Sequence, residues 1–209
     1  MTAVVQPSKI VCVGRNYLAH ARELGNEMPP VPMLFLKPPS AVIGPGDPIV
    51  LPPASRQVEY EAEIGVVVGR RLTQVSEDEA IRGVDGFVCL NDVTCRDLQK
   101  TDGQWGRAKG YDTFCPVGPA VARGLDWRAL EVIGRVNGEV RQRAPASEMH
   151  FSIPYLVAFI SGIMTLEPGD LIATGTPAGV GPLRPGDVVE VEIPGVGILS
   201  NPVQDGARP

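Results

Sequence analysis

The sequence lacks the features that mark several large classes of protein. Its four cysteines form no CxxC pair, and it contains no low-complexity segment and no internal repeat. We find no apolar run near the ~20 residues that a transmembrane helix needs, and no signal peptide. Cys12 and Cys89 lie in apolar, strand-like runs, so we expect them in the core. These absences argue against a membrane protein and predict a cytoplasmic protein with reduced thiols.

Positive charge is also scarce. The chain has 19 Lys and Arg residues against 24 Asp and Glu residues, which gives a net charge of −5. Non-specific nucleic-acid binding requires a basic surface, so we expect neither a nucleic acid nor a membrane as a partner. Any anionic ligand must therefore be held by a few locally placed basic residues.

Glycine and proline are abundant instead, with 24 and 21 residues respectively. Both residue types favour tight turns, so the composition predicts a β-rich fold with short connections. A chain of 209 residues is long enough to bury a core without disulfides or a structural metal. We therefore expect a single domain over residues 1–209.

An acidic segment, residues 58–69, is the central feature of the chain. Charged and uncharged residues alternate through Glu59, Glu61 and Glu63 before a β-branched run, which predicts one strand with a buried end. Alternate residues of a strand share a face at a spacing of about 6.6 Å, so these carboxylates repel unless a positive charge separates them. A divalent cation would satisfy them, but a charged and soluble edge strand fits the spacing equally well.

One of only two histidines lies beside a carboxylate on a short predicted helix. Asn16 is the predicted N-cap of this helix and Gly25 its predicted C′ residue. His20 and Glu23 are three residues apart, so their side chains can touch. A carboxylate fixes the tautomer of an imidazole and raises its basicity, which suits a general base for water. A surface ion pair is the simpler alternative.

This helix and the proline-rich segment after it, residues 15–32, form a predicted lid that can move as a unit. Further along, Asp92 follows a buried strand, where it either caps the next turn or provides a third carboxylate for a metal. A helical turn is predicted from Thr94. On this turn Arg96 and Gln99 share one face.

Two later loops contain candidate anion-binding groups. Lys109 lies between glycines in a predicted loop, where it is either solvated or bound to an anionic oxygen. Residues 175–181 form a predicted loop rich in glycine and containing threonine, which can present N–H groups and hydroxyls to an anion. The loop lacks the Lys-Ser/Thr ending of a P-loop, so we exclude nucleotide binding. Asn137-Gly138 predicts a tight hairpin, and Ser152 predicts the start of a helix that ends near Ile163.

With these motifs in order, the sequence resembles the short single-domain branch of the fumarylacetoacetate hydrolase family from about residue 9 to about residue 203. The resemblance implies an α+β, β-rich fold: a mixed β-sandwich roll with short helices and a lid helix. Six motifs carry it: Gly14-Arg15-Asn16-Tyr17 with His20 and Glu23, Phe35-Leu36-Lys37-Pro38, Glu59-Tyr60-Glu61-Ala62-Glu63, Asn91-Asp92-Val93-Thr94-Cys95-Arg96-Asp97, Ala108-Lys109-Gly110, and Thr174-Gly175-Thr176-Pro177.

The resemblance also implies roles for the candidate residues. Mg²⁺ or Mn²⁺ would be held by three carboxylates, those of Glu61, Glu63 and Asp92, whereas Glu59 would not be a ligand. His20 and Glu23 would activate water, and Lys109 would lie beside the metal. The implied substrate contacts are Arg15, Tyr17, Arg96, Gln99 and Thr176.

The implied activity is cleavage of the C3–C4 bond in small anionic 2-oxo acids by a homodimeric enzyme. Hydrolysis of acylpyruvates to pyruvate and a carboxylic acid is the favoured reaction, with the cation as Lewis acid for the enolate and His20–Glu23 activating water. Oxaloacetate decarboxylation remains an alternative, as does isomerisation or decarboxylation of 2-hydroxyhepta-2,4-diene-1,7-dioate-type intermediates of aromatic catabolism. A non-catalytic module with a structural ion is the alternative of another class, but it would leave His20, Glu23 and Lys109 without a shared purpose.

Overall fold

The computed structural model describes residues 5–206, and strands dominate this part of the chain. The fifteen strands within these residues are β1 (Ile10–Gly14), β2 (Met33–Lys37), β3 (Val42–Ile43), β4 (Ile49–Leu51), β5 (Val58–Tyr60), β6 (Ala62–Val68), β7 (Val84–Asn91), β8 (Thr94–Cys95), β9 (Cys115–Ala122), β10 (Glu131–Val136), β11 (Glu139–Pro145), β12 (Leu171–Ala173), β13 (Gly181–Pro182), β14 (Val188–Ile193) and β15 (Gly197–Asp205). The five α-helices described are α1 (Leu18–Glu23), α2 (Glu77–Arg82), α3 (Arg96–Thr101), α4 (Gly106–Lys109) and α5 (Ile153–Ser161). Among these helices, none is long and apolar enough to cross a bilayer.

The strands form three sheets that mix parallel and antiparallel pairs. The largest has the order β2-β1-β12-β6-β7-β9-β3, the second β11-β10-β14-β15-β4, and the smallest β13-β5-β8. The parallel pair β1–β12 and the antiparallel pair β6–β7 lie in the same sheet. The predicted β-rich α+β fold with short helices is confirmed.

The main hydrophobic core joins the two larger sheets to α5. It includes Ile64 of β6, Ile172 of β12, Val191 of β14 and Leu156 of α5, which are at most 1% exposed. Burial of such side chains is the dominant favourable term in folding. All four cysteines are free and buried, as expected for the two that the sequence placed in the core.

The acidic segment is not the single strand that the alternation predicts. It divides at Glu61 into β5 and β6, which belong to different sheets. The side-chain oxygen of Asn91 accepts the Glu61 N–H at 2.9 Å, and the Glu61 carbonyl accepts the Asp92 N–H at 2.9 Å. Glu61 belongs to neither strand, and these two bonds hold its backbone between β5 and β6. It therefore lies at the junction of two sheets, beside Asp92.

The start of α1 also differs from the prediction. Tyr17, and not Asn16, occupies the N-cap position, and no side chain caps the helix. The Asn16 amide donates instead to the carbonyls of Thr174 at 2.8 Å and Phe151 at 3.1 Å, and its oxygen accepts the Phe151 N–H at 2.8 Å. These distant partners outcompete the local cap. Gly25 follows the helix with φ of +69°, as a C′ residue should.

Three other local predictions, one turn and two helices, are confirmed with small changes in the helix bounds. Asn137 and Gly138 both have positive φ, 54° and 79°, in the turn that joins β10 to β11. Ser152 caps α5, although the helix ends at Ser161 and not near Ile163. Thr94 lies in a short strand, so the helical turn predicted there begins two residues later as α3.

Asp170 anchors the segment before β1 to the turn before β12. Its buried carboxylate accepts the backbone N–H groups of Ser8 and Lys9, both at 3.1 Å, and of Glu167 at 2.8 Å. It also accepts the Ser8 hydroxyl at 2.6 Å and forms an ion pair with the Lys9 ammonium. Burial opposes the charge, yet the bonds from Lys9 and Ser8 lower the pKa of Asp170 overall.

We therefore expect Asp170→Asn to lower the free energy of unfolding by about 2–4 kcal/mol at pH 7, because an amide has one acceptor oxygen and no charge. The folded pKa lies below the unfolded value of ~3.9, so the contribution is complete well above pH 4 and is lost as the pH falls through the folded pKa. Urea denaturation of both proteins at pH 7 and near pH 3 measures this. A difference that does not shrink at low pH would contradict the assignment.

Candidate metal and catalytic site

Three buried carboxylates converge where β6 begins and β7 ends. Glu61, Glu63 and Asp92 each offer one oxygen, and these oxygens lie within 4.8 Å of one another. The side chains are almost out of water, since the three residues are 5%, 2% and 1% exposed. Pairing of Ala62 with Asn91 across β6 and β7 brings the two ends together. The structure thus assembles all three predicted metal ligands.

Two cations bind directly to this cluster from neighbouring short helices. The Lys109 ammonium donates to Glu61 Oε2 and to Asp92 Oδ2, both at 2.7 Å. Arg96 Nη2 donates to Glu61 Oε1 at 2.6 Å. The predicted glycine-flanked loop around Lys109 is in fact α4, and the lysine is 2% exposed and not solvated. Its position beside the carboxylates agrees with the role implied by the resemblance.

Lys37 is a third cation in the cluster, and sequence reasoning gave it no role. It is the last residue of β2, and its Nζ donates to Asp92 Oδ1 at 2.6 Å and to the Val93 carbonyl at 3.1 Å. The side chain is fully buried, which for an ammonium requires an ionic partner. The only available signal was its place in one of the six motifs, at the end of an apolar strand.

Burial and charge drive the pKa values of the cluster apart. Burial disfavours the carboxylate of Glu61, yet Lys109 and Arg96 lower its pKa overall. Burial also opposes the charge of Lys109, but Asp92 and Glu61 raise its pKa, so it remains an ammonium. For Glu63, burial and then the charges of Asp92 and Glu61 raise the pKa well above the usual range. Among the described residues, Glu63 forms no ion pair and accepts only the Gly175 N–H, at 2.7 Å.

The donor set fits a hard divalent cation. Carboxylate oxygens are the ligands that Mg²⁺ and Mn²⁺ prefer, and Mg²⁺ takes six ligands in total. Glu61, Glu63 and Asp92 would hold the ion and leave positions for water or substrate. Glu63 has no direct ion-pair partner among the described residues, and such a cation would provide one.

The predicted pair of His20 and Glu23, which we call the dyad, lies beside the same site. His20 Nδ1 lies 3.2 Å from Glu23 Oε2, and Glu23 Oε1 accepts the Gly179 N–H at 3.0 Å. A carboxylate only accepts hydrogen bonds, so this contact requires the proton on Nδ1, and in the neutral ring Nε2 then has the lone pair. No described residue bonds to Nε2, and His20 is only 4% exposed. The arrangement suits a general base.

A small cavity of about 60 Å³ joins these groups. It is lined by the metal-ligand candidates, the candidate base and several cations and apolar residues: Val13, Gly14, Arg15, His20, Leu24, Asn26, Phe35, Glu61, Glu63, Asp92, Arg96, Gln99, Trp105, Lys109 and Thr176. Four of the five predicted substrate contacts are among them. Tyr17 is the exception.

Tyr17 lies in the hydrophobic core and not at the cavity. It is 2% exposed, and its hydroxyl has no hydrogen-bond partner within residues 5–206. Burial, together with the nearby charge of Glu63, raises the pKa of the phenol. The motif Gly14-Arg15-Asn16-Tyr17 therefore contributes Arg15 to the cavity wall, whereas its tyrosine packs into the core. Side chains alternate between exposed and buried faces along a strand, but a turn interrupts this alternation. The sequence therefore did not show that Tyr17 faces the core.

Arg96 and Thr176 line the cavity, but their polar groups already form hydrogen bonds with other protein groups. Besides Glu61, the Arg96 guanidinium binds Glu59 Oε2 at 2.8 Å and Gln99 Oε1 at 2.6 Å. The Thr176 hydroxyl donates to the Ala62 carbonyl at 2.9 Å and accepts from Gln142 Nε2 at 2.7 Å. Sequence reasoning missed Gln142, because nothing in its strand marks it as special.

Comparison with known proteins places this geometry in a family. The family model described as "Fumarylacetoacetate (FAA) hydrolase C-terminal" matches residues 9–204. The chain therefore belongs to the fumarylacetoacetate hydrolase family. The resemblance inferred from the six motifs is confirmed.

The named relatives are enzymes with related but different reactions. Oxaloacetate tautomerase YisK of Bacillus subtilis is 44% identical, over 96% of this chain and 71% of the relative. The structure of 2-hydroxyhepta-2,4-diene-1,7-dioate isomerase from Mycobacterium marinum is 47% identical, with a TM-score of 0.91 over 99% of this chain and 78% of that one. Fumarylpyruvate hydrolase from Pseudomonas aeruginosa, in complex with Mn²⁺ and pyruvate, is 32% identical, with a TM-score of 0.91 over 97% and 91%.

We expect Glu63→Gln to weaken binding of Mn²⁺ by at least about 100-fold. Mutation of residues that only support a metal ligand already lowers metal affinity by ~10–100-fold, and Glu63 is a candidate ligand itself. Isothermal titration of EDTA-treated protein with Mn²⁺ measures this directly. Glu139→Gln is the matched control, since Glu139 is an exposed residue paired with Arg141. Unchanged Mn²⁺ affinity in Glu63→Gln would show that the ion binds elsewhere.

Proposed function

We propose that the protein is a divalent-metal-dependent enzyme that forms the enol of small 2-oxo acids, with keto–enol tautomerisation of oxaloacetate as its reaction. The observation that carries this proposal is one cavity lined by the carboxylate cluster, two of its three cations and His20. Glu23 contacts His20 but is not part of that lining. The tautomerase relative at 44% identity supports the choice of oxaloacetate.

The chain's own residues account for the proton transfer. A bound Mg²⁺ or Mn²⁺ would supply a Lewis acid that polarises the 2-oxo group. Glu23 holds the Nδ1 proton of His20, so Nε2 takes the proton from C3 of the substrate. The protonated ring, or a water in contact with it, then delivers a proton to the 2-oxygen. One C–H bond is exchanged for one O–H bond, and no atom is lost.

Hydrolysis of acylpyruvates is the second candidate function. The neighbour that is a fumarylpyruvate hydrolase, with Mn²⁺ and pyruvate, supports it. Here His20 would take a proton from water, and the water oxygen would attack the C4 carbonyl. The C3–C4 bond would then break to release a carboxylic acid and the enolate of pyruvate, and the proton held by His20 would pass to C3 to give pyruvate. Isomerisation or decarboxylation of 2-oxo and 2-hydroxy-diene acids would use the same enol chemistry, and the isomerase neighbour supports that variant.

We expect His20→Ala to slow oxaloacetate tautomerisation and any acylpyruvate cleavage by about 10²–10⁴-fold, the usual contribution of a general base. Oxaloacetate decarboxylation needs chiefly an electron sink and should fall much less. Ultraviolet absorbance of the enol and chromatography of the products measure these rates with Mg²⁺ present. His150→Ala is the control, because this exposed histidine lies outside the cavity.

EDTA should abolish all of these reactions, and Mg²⁺ or Mn²⁺ should restore them. Equal losses on every substrate in His20→Ala would refute the role as base and leave His20 with a binding role. Failure of the wild-type protein to turn over oxaloacetate or any acylpyruvate would refute the proposed reaction.

We also propose that the enzyme is a homodimer. The edge strand β2 and the segment before it expose apolar side chains, with Leu36 49% and Val31 53% exposed. Light scattering should give about twice the 22.2-kDa mass of the chain at micromolar concentration. A mass near that of one chain would refute the dimer.

A further inference from the structure

The loop of residues 175–181, whose sequence suggested that it could present N–H groups to an anion, binds carboxylates of the protein itself. Its Gly175 N–H donates to Glu63 Oε2 at 2.7 Å, and its Gly179 N–H donates to Glu23 Oε1 at 3.0 Å. The first carboxylate is a metal-ligand candidate, and the second belongs to the dyad. The loop therefore orients groups of the site, and we call it the carboxylate loop.

Glu23 needs such an anchor because it lies on a short and accessible element. Its side chain is 32% exposed, and α1 has only six residues. A glutamate side chain has many rotamers, and holding it in one of them costs conformational entropy. The Gly179 N–H offsets that cost by binding Oε1 of Glu23 while Oε2 faces His20 Nδ1.

Gly179 reaches Glu23 because it has no side chain. Its φ is +102°, in the region that favours glycine. An added Cβ would collide with the Arg141 carbonyl oxygen on β11. The space beside β11 thus admits only bare backbone. A glycine is also the most flexible residue of a chain, so its position has to be held by a partner.

The hydroxyl of Tyr60 provides that partner. It donates to the Gly179 carbonyl at 2.8 Å, and the phenol is the donor because a carbonyl oxygen only accepts. Tyr60 is the last residue of β5 and lies opposite Gly181 in the antiparallel pair of β5 and β13. This pairing places its ring beside the carboxylate loop, where the residue is only 4% exposed.

Tyr60 acts on the dyad from outside the catalytic cavity. Its sequence neighbours Glu59 and Glu61 both bind Arg96, and Arg96 and Glu61 line that cavity. Tyr60 itself is not part of the lining, so it does not face a substrate held there. An effect of its hydroxyl on the reaction therefore has to pass through the loop.

The carboxylate loop has a separate anchor nearer its start. Gln142 Nε2 donates to the Thr176 hydroxyl and to the Pro177 carbonyl, both at 2.7 Å. Neither bond involves Tyr60. Loss of the Tyr60 hydroxyl should therefore release Gly179 without unfolding the rest of the loop.

We propose that Tyr60 is a positioning residue for the proton transfer: its hydroxyl fixes Gly179, and the Gly179 N–H fixes Glu23. Glu23 in turn keeps the proton of His20 on Nδ1. The inference rests on the proposed function, in which Nε2 of His20 is the base.

Nitrogen NMR of the imidazole rings tests the tautomer directly, because the chain has only two histidines. The Mg²⁺-loaded protein is prepared with isotope-labelled histidine and studied at a pH where the rings are neutral, and His150→Ala assigns the signals. The protonated and unprotonated nitrogens of a neutral ring are distinct, so the tautomer can be identified. We expect His20 of the wild type to carry its proton on Nδ1. Tyr60→Phe should move part of the population to the Nε2–H tautomer and leave His150 unchanged.

Kinetics of a double-mutant cycle test whether Tyr60 acts through Glu23. Tyr60→Phe should lower kcat for oxaloacetate tautomerisation by about 10-fold and change KM by less than about 2-fold, because the base remains but loses its fixed orientation. In a Glu23→Ala background the same substitution should change kcat by less than about 2-fold, since the group through which Tyr60 acts is then absent.

The control variant removes a tyrosine hydroxyl elsewhere in the fold. Tyr155 packs between Phe151 and Phe159, outside the catalytic cavity, so Tyr155→Phe should equal the wild type in kcat and in the tautomer of His20. Phenylalanine keeps the ring of Tyr60 in its hydrophobic cluster, and thermal denaturation checks that Tyr60→Phe is folded.

A neutral wild-type His20 with its proton on Nε2 would overturn the proposal. So would an unchanged tautomer or kcat in Tyr60→Phe, or an equal loss of kcat with and without Glu23. The proposed reaction fails in a different way. If the wild type turns over no 2-oxo acid but the tautomer depends on Tyr60, the positioning role stands and the reaction is wrong. If turnover is found and the tautomer does not depend on Tyr60, the reaction stands and the positioning role is wrong.

Discussion

Buried charge is the constraint on which this structure depends. Glu61, Glu63 and Asp92 are held almost out of water, and a buried carboxylate is tolerated only with partners. Removing one member of such a pair typically costs about 3–5 kcal/mol. Lys37 and Lys109 therefore have to reach the cluster, and the strand and short helix that carry them are held in place by the charge that they neutralise.

This constraint also explains why very short helices are ordered in the site. α3 and α4 have six and four residues, far fewer than an isolated helix needs to be stable in water. Arg96 at the start of α3 and Lys109 at the end of α4 both bind Glu61. Their order therefore comes from ion pairs and packing, and a metal ion at the cluster would change the balance of charge that holds them.

A hydrogen-bonded frame connects the dyad to the cluster. Asn16, just before α1, donates to the Thr174 carbonyl, and the Gly175 N–H binds Glu63. An added Cβ at Gly175 would lie 2.7 Å from that of Asn16, so only glycine allows this close approach. One loop thus fixes both the start of α1 and a metal-ligand candidate. Relatives with tautomerase, isomerase and hydrolase names belong to the same family, so the fold alone does not determine the reaction.

Local features of this protein were determined by the sequence itself. The Asn137-Gly138 turn and the Ser152 cap depend on neighbouring residues. The glycine and proline content predicted a β-rich fold, and six ordered motifs were enough to recognise the family. The folded chain was needed to show that Lys37 binds Asp92, which is 55 residues away. It also showed that Asn16 binds Thr174, 158 residues away, and caps no helix. The physical reason is that buried polar groups take whichever partner the packed fold brings near, and that partner has no fixed spacing along the chain.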